Sequence, residues 1–313
     1  LTWDKKTGRN DLLAGVAVRY TFYDDNTPAT ATGDTINQQT QSQKTWMPGV
    51  FLQDELTLTA NHKLLLGFRY DYNSYHGNIY TPRIAYKWSI NDKNILRLNA
   101  GTGYRVVNLF TEDHAALTGA RTVEIRNELK PEQSYNTNLN YIKKFYAQNG
   151  TFIGLDASAF YTYFNNRIIG DYDQDPNKII YDNLKGYAES KGVSLNSDFA
   201  FNNGLKIIAG GTLMENTFTE KGIAKQQILT ENFTGTWAVS YKIKKINLEI
   251  DYTGNVYSPM RLPLLGDLDP RSANSPWWSL QNIQCMFSGF KNMEIYGGIK
   301  NLLNWTPNQG NSF

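Results

Sequence analysis

The 313 residues carry 31 Lys and Arg against 29 Asp and Glu, and the formal net charge of +2 gives no support to a nucleic-acid-binding face. No apolar run approaches the roughly 18 residues of a membrane-spanning helix, and the single Cys285 excludes an internal disulfide framework and a cysteine-based zinc cluster. A mean hydropathy of −0.49 suits a soluble chain, whereas 20 Tyr, 15 Phe and 7 Trp beside 25 Gly suit aromatic-rich β-strands.

Apolar side chains recur at period two, which puts them on one face of an extended strand and polar residues on the other. Leu66-Gly67-Phe68-Arg69-Tyr70-Asp71-Tyr72 shows this, as do Val193–Phe201, Ile246–Thr253 and the shorter Leu96–Ala100. The pattern predicts thirteen strands, over 11–24, 46–60, 64–75, 80–90, 95–104, 132–146, 151–168, 187–201, 205–218, 232–243, 246–257, 277–289 and 293–303. Alternation by itself fits a soluble sandwich and the wall of a wet-lumened barrel equally well.

The connections decide between them. One set is tight and rich in turn residues: Asn61-His62-Lys63, Asn91-Asp92-Lys93-Asn94, Gln148-Asn149-Gly150, Asn202-Asn203-Gly204, Lys244-Lys245 and Lys291-Asn292. The set that alternates with it is mostly long and polar, over 25–45, 105–131, 169–186, 219–231 and 258–276, with only 76–79 short. Antiparallel strands with tight turns at one end and long loops at the other describe an all-β, antiparallel transmembrane β-barrel of an outer membrane. Aromatic residues crowd the two strand ends. Tyr20, Phe22, Tyr70, Tyr72, Tyr104, Tyr161, Tyr163, Tyr252 and Tyr257 fall near the loops; Tyr86, Trp88, Tyr141, Phe145, Phe152, Phe199, Phe201, Tyr241 and Phe290 fall near the turns. Two such belts are the expected interfacial girdles.

A first strand and a last strand that both rise toward the loops give an odd count, which a closed bacterial barrel does not have. The expectation is a single, partial barrel domain over 1–313, lacking strands at both ends.

Four stretches, in order, resemble TonB-dependent outer-membrane receptors. Gly101-Thr102-Gly103-Tyr104-Arg105-Val106-Val107-Asn108-Leu109-Phe110 is similar to the family's GxGFRAPNLFE stretch, with Val106-Val107 in place of Ala-Pro. Asn127-Glu128-Leu129-Lys130-Pro131-Glu132 with Ser134 and Asn136 resembles its NPDLKPE…S…N stretch, although no Pro precedes Glu128. Tyr187–Leu195 resembles a strand start of the family, and Asn301-Leu302-Leu303-Asn304 resembles the motif near the end of its barrel. The resemblance implies a barrel of about 22 strands closed by an N-terminal plug, with the thirteen strands here as the ninth to twenty-first and with the plug and TonB-contacting segment outside the chain. It implies transport: a scarce large nutrient binds the extracellular loops, and the TonB complex pulls on the plug with energy from the proton gradient. A metal chelate or cofactor (siderophore, haem or cobalamin) is the expected ligand. The outer membrane of a Gram-negative bacterium is the expected location, its lipid a neighbour and a surface lipoprotein a further partner. No resident cofactor and no nucleic-acid partner are implied.

No catalytic set is visible. His62, His76 and His114 are scattered, and there is neither a nucleophile elbow nor a phosphate loop leading into a helix, so an enzyme is not expected. Loop 105–131 carries Glu112, Asp113, His114, Arg121, Glu124 and Arg126 on a segment longer than its anchors require, as functional loops often are. Haem-uptake members of the family carry a ligating His in this interval. His114 is therefore a candidate axial haem ligand, the alternative being a solvated His or one paired with Asp113. Loop 258–276 is the second candidate surface, with the apolar run Met260-Arg261-Leu262-Pro263-Leu264-Leu265 and then Trp277-Trp278. Loop–loop packing beneath a girdle Trp pair is its alternative. Arg69, Asp71, Arg97, Glu249 and Asp251 lie on the polar faces and are expected to line the lumen or meet the plug. A passive porin, an adhesion barrel and a glycan importer of the same family share these strand features.

Overall fold

The computed structural model describes residues 1–23, 43–106, 122–125, 129–171, 174–175, 178–263 and 271–306. In chain order its strands are β1 (Thr2–Thr7), β2 (Asn10–Tyr23), β3 (Gln43–Thr59), β4 (His62–Asn73), β5 (Gly77–Asn91), β6 (Asn94–Arg105), β7 (Thr122–Ile125), β8 (Glu132–Tyr146), β9 (Phe152–Phe164), β10 (Ile168–Asp171), β11 (Lys178–Asn183), β12 (Gly186–Ala200), β13 (Leu205–Glu220), β14 (Ile223–Gln226), β15 (Phe233–Ile243), β16 (Leu248–Tyr257), β17 (Trp278–Phe290) and β18 (Met293–Ile299). All except β7, β10, β11 and β14 form one antiparallel path in which chain neighbours pair; β14 folds back onto β13. The path is open, with β1 and β18 each having one neighbour.

Thirteen predicted strands are present, with a fourteenth, β1, ahead of them. β1 descends to a tight turn at Gly8-Arg9 (Gly8 φ +59°) and pairs with β2 from Thr2↔Gly15 to Thr7↔Asn10. The path therefore has an even number of strands, and the expectation of an odd count with a rising start is corrected. Thr2-Trp3-Asp4-Lys5-Lys6-Thr7 offers a single large apolar residue, so period two is invisible in it.

The tight turns form for local reasons. Asn91 Oδ1 accepts from Lys93 N at 2.9 Å, Asn149 Oδ1 from Thr151 N at 3.0 Å and Asn203 Oδ1 from Leu205 N at 3.1 Å, each replacing a backbone turn bond. At the opposite end Asn73 Oδ1 accepts from Tyr75 N and His76 N, at 2.9 and 3.1 Å, which explains the one short connection there. β18 stops at Ile299, four residues before the predicted end. Asn301 and Asn304 take left-handed φ near +50°, and Asn301 bonds both backbone groups of Trp305, so the Asn-Leu-Leu-Asn stretch is a turn.

Register assigns the faces. Val16, Val18 and Tyr20 of β2 sit opposite Val50, Pro48 and Trp46 of β3, and Val50 and Leu52 opposite Tyr70 and Phe68 of β4. The same parity carries Leu139, Ala159, Val193 and Leu213 across β8, β9, β12 and β13. Large apolar side chains on this face stay open, Val18 at 66% and Leu213 at 58% exposure. So broad an apolar surface is not stable in water. Tyr20, Tyr70, Tyr161 and Tyr187 flank it near the loops; Tyr86, Trp88, Tyr141 and Tyr241 flank it near the turns. Three predicted girdle residues depart from this: Phe152 and Tyr257 have the parity of the polar face, and Tyr252 sits mid-strand beside Trp237, ring centres 6.2 Å apart.

Candidate functional site at the long-loop end

The opposite face is polar, and four of the five predicted lumen residues find partners on it. Asp71 is buried and takes Arg69 through both carboxylate oxygens, at 2.6 and 2.7 Å. It fits because Gly49 lies across from it on β3, where a Cβ would come within 2.0 Å of Asp71 Oδ1. Arg97 donates to Asn140 Oδ1 at 3.5 Å, and Asn140 passes a hydrogen bond to Asp156 at 2.5 Å. Glu249 accepts from Ser240 Oγ at 3.0 Å, with Lys242 at 3.9 Å. Asp251 shares this face, opposite Ser240 and Gln284, and has no hydrogen bond or ion pair among the described residues. The five do not converge: they are spread over β4, β6 and β16.

Above β6, β8, β9 and β12 stands a three-stranded sheet in the order β10-β11-β7, which sequence reasoning had taken for loop. β11 pairs antiparallel with β10 and parallel with β7. Consecutive residues Ile179, Ile180 and Tyr181 are all buried, so both faces of β11 are covered. Glu132 anchors this cap. Its buried carboxylate takes Arg105 Nε at 2.7 Å through one oxygen and Ile168 N at 3.0 Å through the other. Asn183 bonds both backbone groups of Lys130, at 2.7 and 2.8 Å, and Asn166 Nδ2 donates to Pro131 O at 2.7 Å. Arg167 stacks 4.9 Å over Phe164; burial lowers its pKa, while Glu132 opposes the shift. Glu124 of β7 pairs with Lys178 at 2.8 Å. The predicted ligand residues Glu112, Asp113, His114, Arg121 and Arg126 lie outside the described residues.

The second predicted surface is corrected in part. Met260 and Leu262 are 8% and 2% exposed, so the apolar run does not offer them to a ligand. Segment 258–263 docks on 226–233 and on 271–275: Ser258 Oγ accepts from Asn232 N and Phe233 N, Ser275 Oγ from Met260 N, and Arg261 Nη1 donates to Gln226 O at 3.3 Å. Leu264 and Leu265 lie outside the described residues. Trp277 and Trp278 part company. Trp277 is exposed, 6.1 Å from Phe233. Trp278 is sandwiched between Tyr257, at 4.0 Å, and Trp305, at 4.8 Å, with its indole N–H buried and unpartnered. Tyr257 was expected only as a girdle residue and Trp305 was not singled out; register across β16 and β17 and the Asn301 turn bring them to Trp278.

The family model described as TonB dependent receptor-like, beta-barrel matches residues 1–302. The iron-regulated outer membrane virulence protein of Vibrio cholerae serotype O1 is 25% identical over 163 residues, 51% of this chain and 24% of that protein. Among solved structures, the siderophore receptor PirA of Acinetobacter baumannii matches with a TM-score of 0.73 at 14% identity, over 97% of this chain and 49% of that one. The ferric enterobactin receptor PfeA of Pseudomonas aeruginosa gives 0.70 at 16%, over 94% and 46%, and the FrpB iron transporter of Neisseria meningitidis 0.70 at 15%, over 97% and 50%. This chain thus spans a quarter of the curated relative and about half of each solved receptor. Its continuous antiparallel wall, apolar on one face and polar on the other, belongs to the TonB-dependent receptor family, as β-barrel of a Gram-negative outer membrane.

Proposed function

We propose that the chain is the greater part of the barrel of a receptor that captures a ferric chelate outside the cell and imports it with energy delivered by TonB. The observation that carries this reading is the built platform at the loop end: a hydrogen-bonded cap over β6–β12 and a docked loop 258–263 stand above a polar wall. A passive pore needs no such cap. The relatives named above are a ferric enterobactin receptor, a siderophore receptor, an iron transporter and an iron-regulated outer membrane protein, which favours an iron chelate over haem or cobalamin. Strands and a plug outside residues 1–313 would close the open path and fill its lumen.

In this reading the aromatic stack is a ligand contact. Both faces of Trp278 are covered, so a planar ligand ring meets the outer face of Tyr257 or Trp305. The test is binding by the full-length receptor, followed by tryptophan fluorescence quenching with ferric catecholate, ferric hydroxamate, haem and cobalamin. Saturable quenching by one ferric siderophore class, weakened by Trp305→Ala, is expected. Saturable binding of cobalamin or haem alone would overturn the iron-chelate assignment.

A further inference from the structure

The apolar face of the wall is interrupted by charge at β1–β3. Register lines up three rows across this face. The row nearest the loops reads Trp3, Ala14, Leu52, Phe68 and Pro82, and the row nearest the turns Thr7, Asn10, Leu56, Leu64 and Tyr86. The row between them reads Lys5, Leu12, Asp54, Leu66 and Ile84. A cation and an anion therefore flank Leu12 on the side of the wall that meets lipid.

Neither charge is neutralised where it stands. Asp54 is half-buried; its Oδ2 accepts from Asn10 Nδ2 at 3.1 Å, and its Oδ1 has no partner. Lys5 is exposed and has no hydrogen bond or ion pair among the described residues. Ionisable side chains facing lipid are costly and mark functional contacts. Lys5 has a stem long enough to carry its ammonium toward the headgroups. Asp54 has no such escape, because Leu56 and Leu58 follow it on the same face before the turn at Asn61.

The spacing selects the occupant. With adjacent strands about 4.8 Å apart, Lys5 and Asp54 lie about 10 Å apart across Leu12. Copies of one receptor share a single up–down orientation, so a two-fold axis relating two of them runs along the membrane normal and makes a self-complementary interface. An axis beside Leu12 sets Lys5 of each copy opposite Asp54 of the other. Strand tilt of about 40° offsets the heights of the two groups by about 6 Å, within the reach of a lysine stem. Trp3, Leu52 and Phe68, each half-exposed on the adjacent row, supply apolar contact beside the ion pairs. A different membrane protein would have to present the same two charges in reverse order, whereas a second copy already does. We infer that the lipid-facing side of β1–β3 is a dimer interface between two copies of the receptor, closed by reciprocal Lys5–Asp54 ion pairs about Leu12.

Full-length receptor in native outer-membrane vesicles, treated with a membrane-permeant carbodiimide, provides the test. The reagent condenses the Asp54 carboxylate with the Lys5 amine to an amide, taking up the water as its urea, and a covalent dimer is expected on a denaturing gel. Lys5→Gln and Asp54→Asn should each abolish the dimer when expressed alone. Expressed together under different tags, they should restore a heterodimer joined by one amide, because one copy keeps the carboxylate and the other the amine. Restoration also shows that both variants fold. A Lys5–Asp54 amide confined to single chains, a link from either residue to another protein, a dimer that persists in either variant alone, or no heterodimer from the mixed pair would each overturn the inference.

Discussion

Asp71 and Glu132 show how single carboxylates are held on this wall. Arg69 is 42% exposed and rehydrates if its partner is lost, so Asp71→Ala is expected to cost about 1–2 kcal/mol, well short of a fully buried pair. Gly49→Val should do comparable damage without touching either charge, since its side chain would occupy the space of the Asp71 carboxylate. Urea unfolding of the barrel in detergent micelles measures both. Glu132 differs because it joins the wall to the cap. Its loss removes an ion pair and a backbone acceptor together, about 1.5–3 kcal/mol for a charge-assisted bond. Glu132→Ala should open segment 165–185 to protease while the wall remains resistant; an unchanged cleavage pattern would show that Glu132 does not anchor the cap.

At the scale of the element, the two faces of one strand should respond oppositely to the same substitution. Leu139 lies on the apolar face of β8 and Asn138, its neighbour, on the polar face, opposite Asn99. Leu139→Arg is expected to cost about 2–4 kcal/mol in a bilayer, and Asn138→Arg much less. Folding equilibria into lipid vesicles check the contrast; equal costs would mean that the faces are assigned wrongly. The same alternation made the long strands legible in the sequence, because each repeats its pattern over ten or more residues and one apolar face is enough to register it. β1 was illegible for want of apolar residues, and β7, β10 and β11 because strands of four to six residues hold only two or three repeats of a two-residue period. The parallel pairing of β11 with β7 joins segments more than fifty residues apart, which no local pattern reports. The site was less legible than the fold. The run 260–265 was noticed for its greasiness, yet Ser258 and Ser275, whose hydroxyls tie down the segment that buries Met260 and Leu262, are unremarkable in sequence. The juxtaposition of cations on the polar face depends on register, which sets Lys87 between Lys63 and Arg97 across two hairpins.

For the whole molecule, an apolar belt, a polar lumenal face and a capped loop end combine into one expectation about traffic across the outer membrane. The loop end carries the aromatic stack and the cap, whereas the other end closes in tight turns, so the wall is polarised along its strands. A receptor of the kind proposed should bind its cargo at the loop end without energy but release it inward only with energy. The direct measurement is accumulation of radiolabelled iron, supplied as a ferric siderophore, by cells carrying the full-length receptor, with TonB present or deleted and with the proton gradient intact or collapsed. Surface binding in all four conditions, with accumulation only where both TonB and the gradient are present, is the expected result. Accumulation that persists without either would contradict energised import and leave a passive pore.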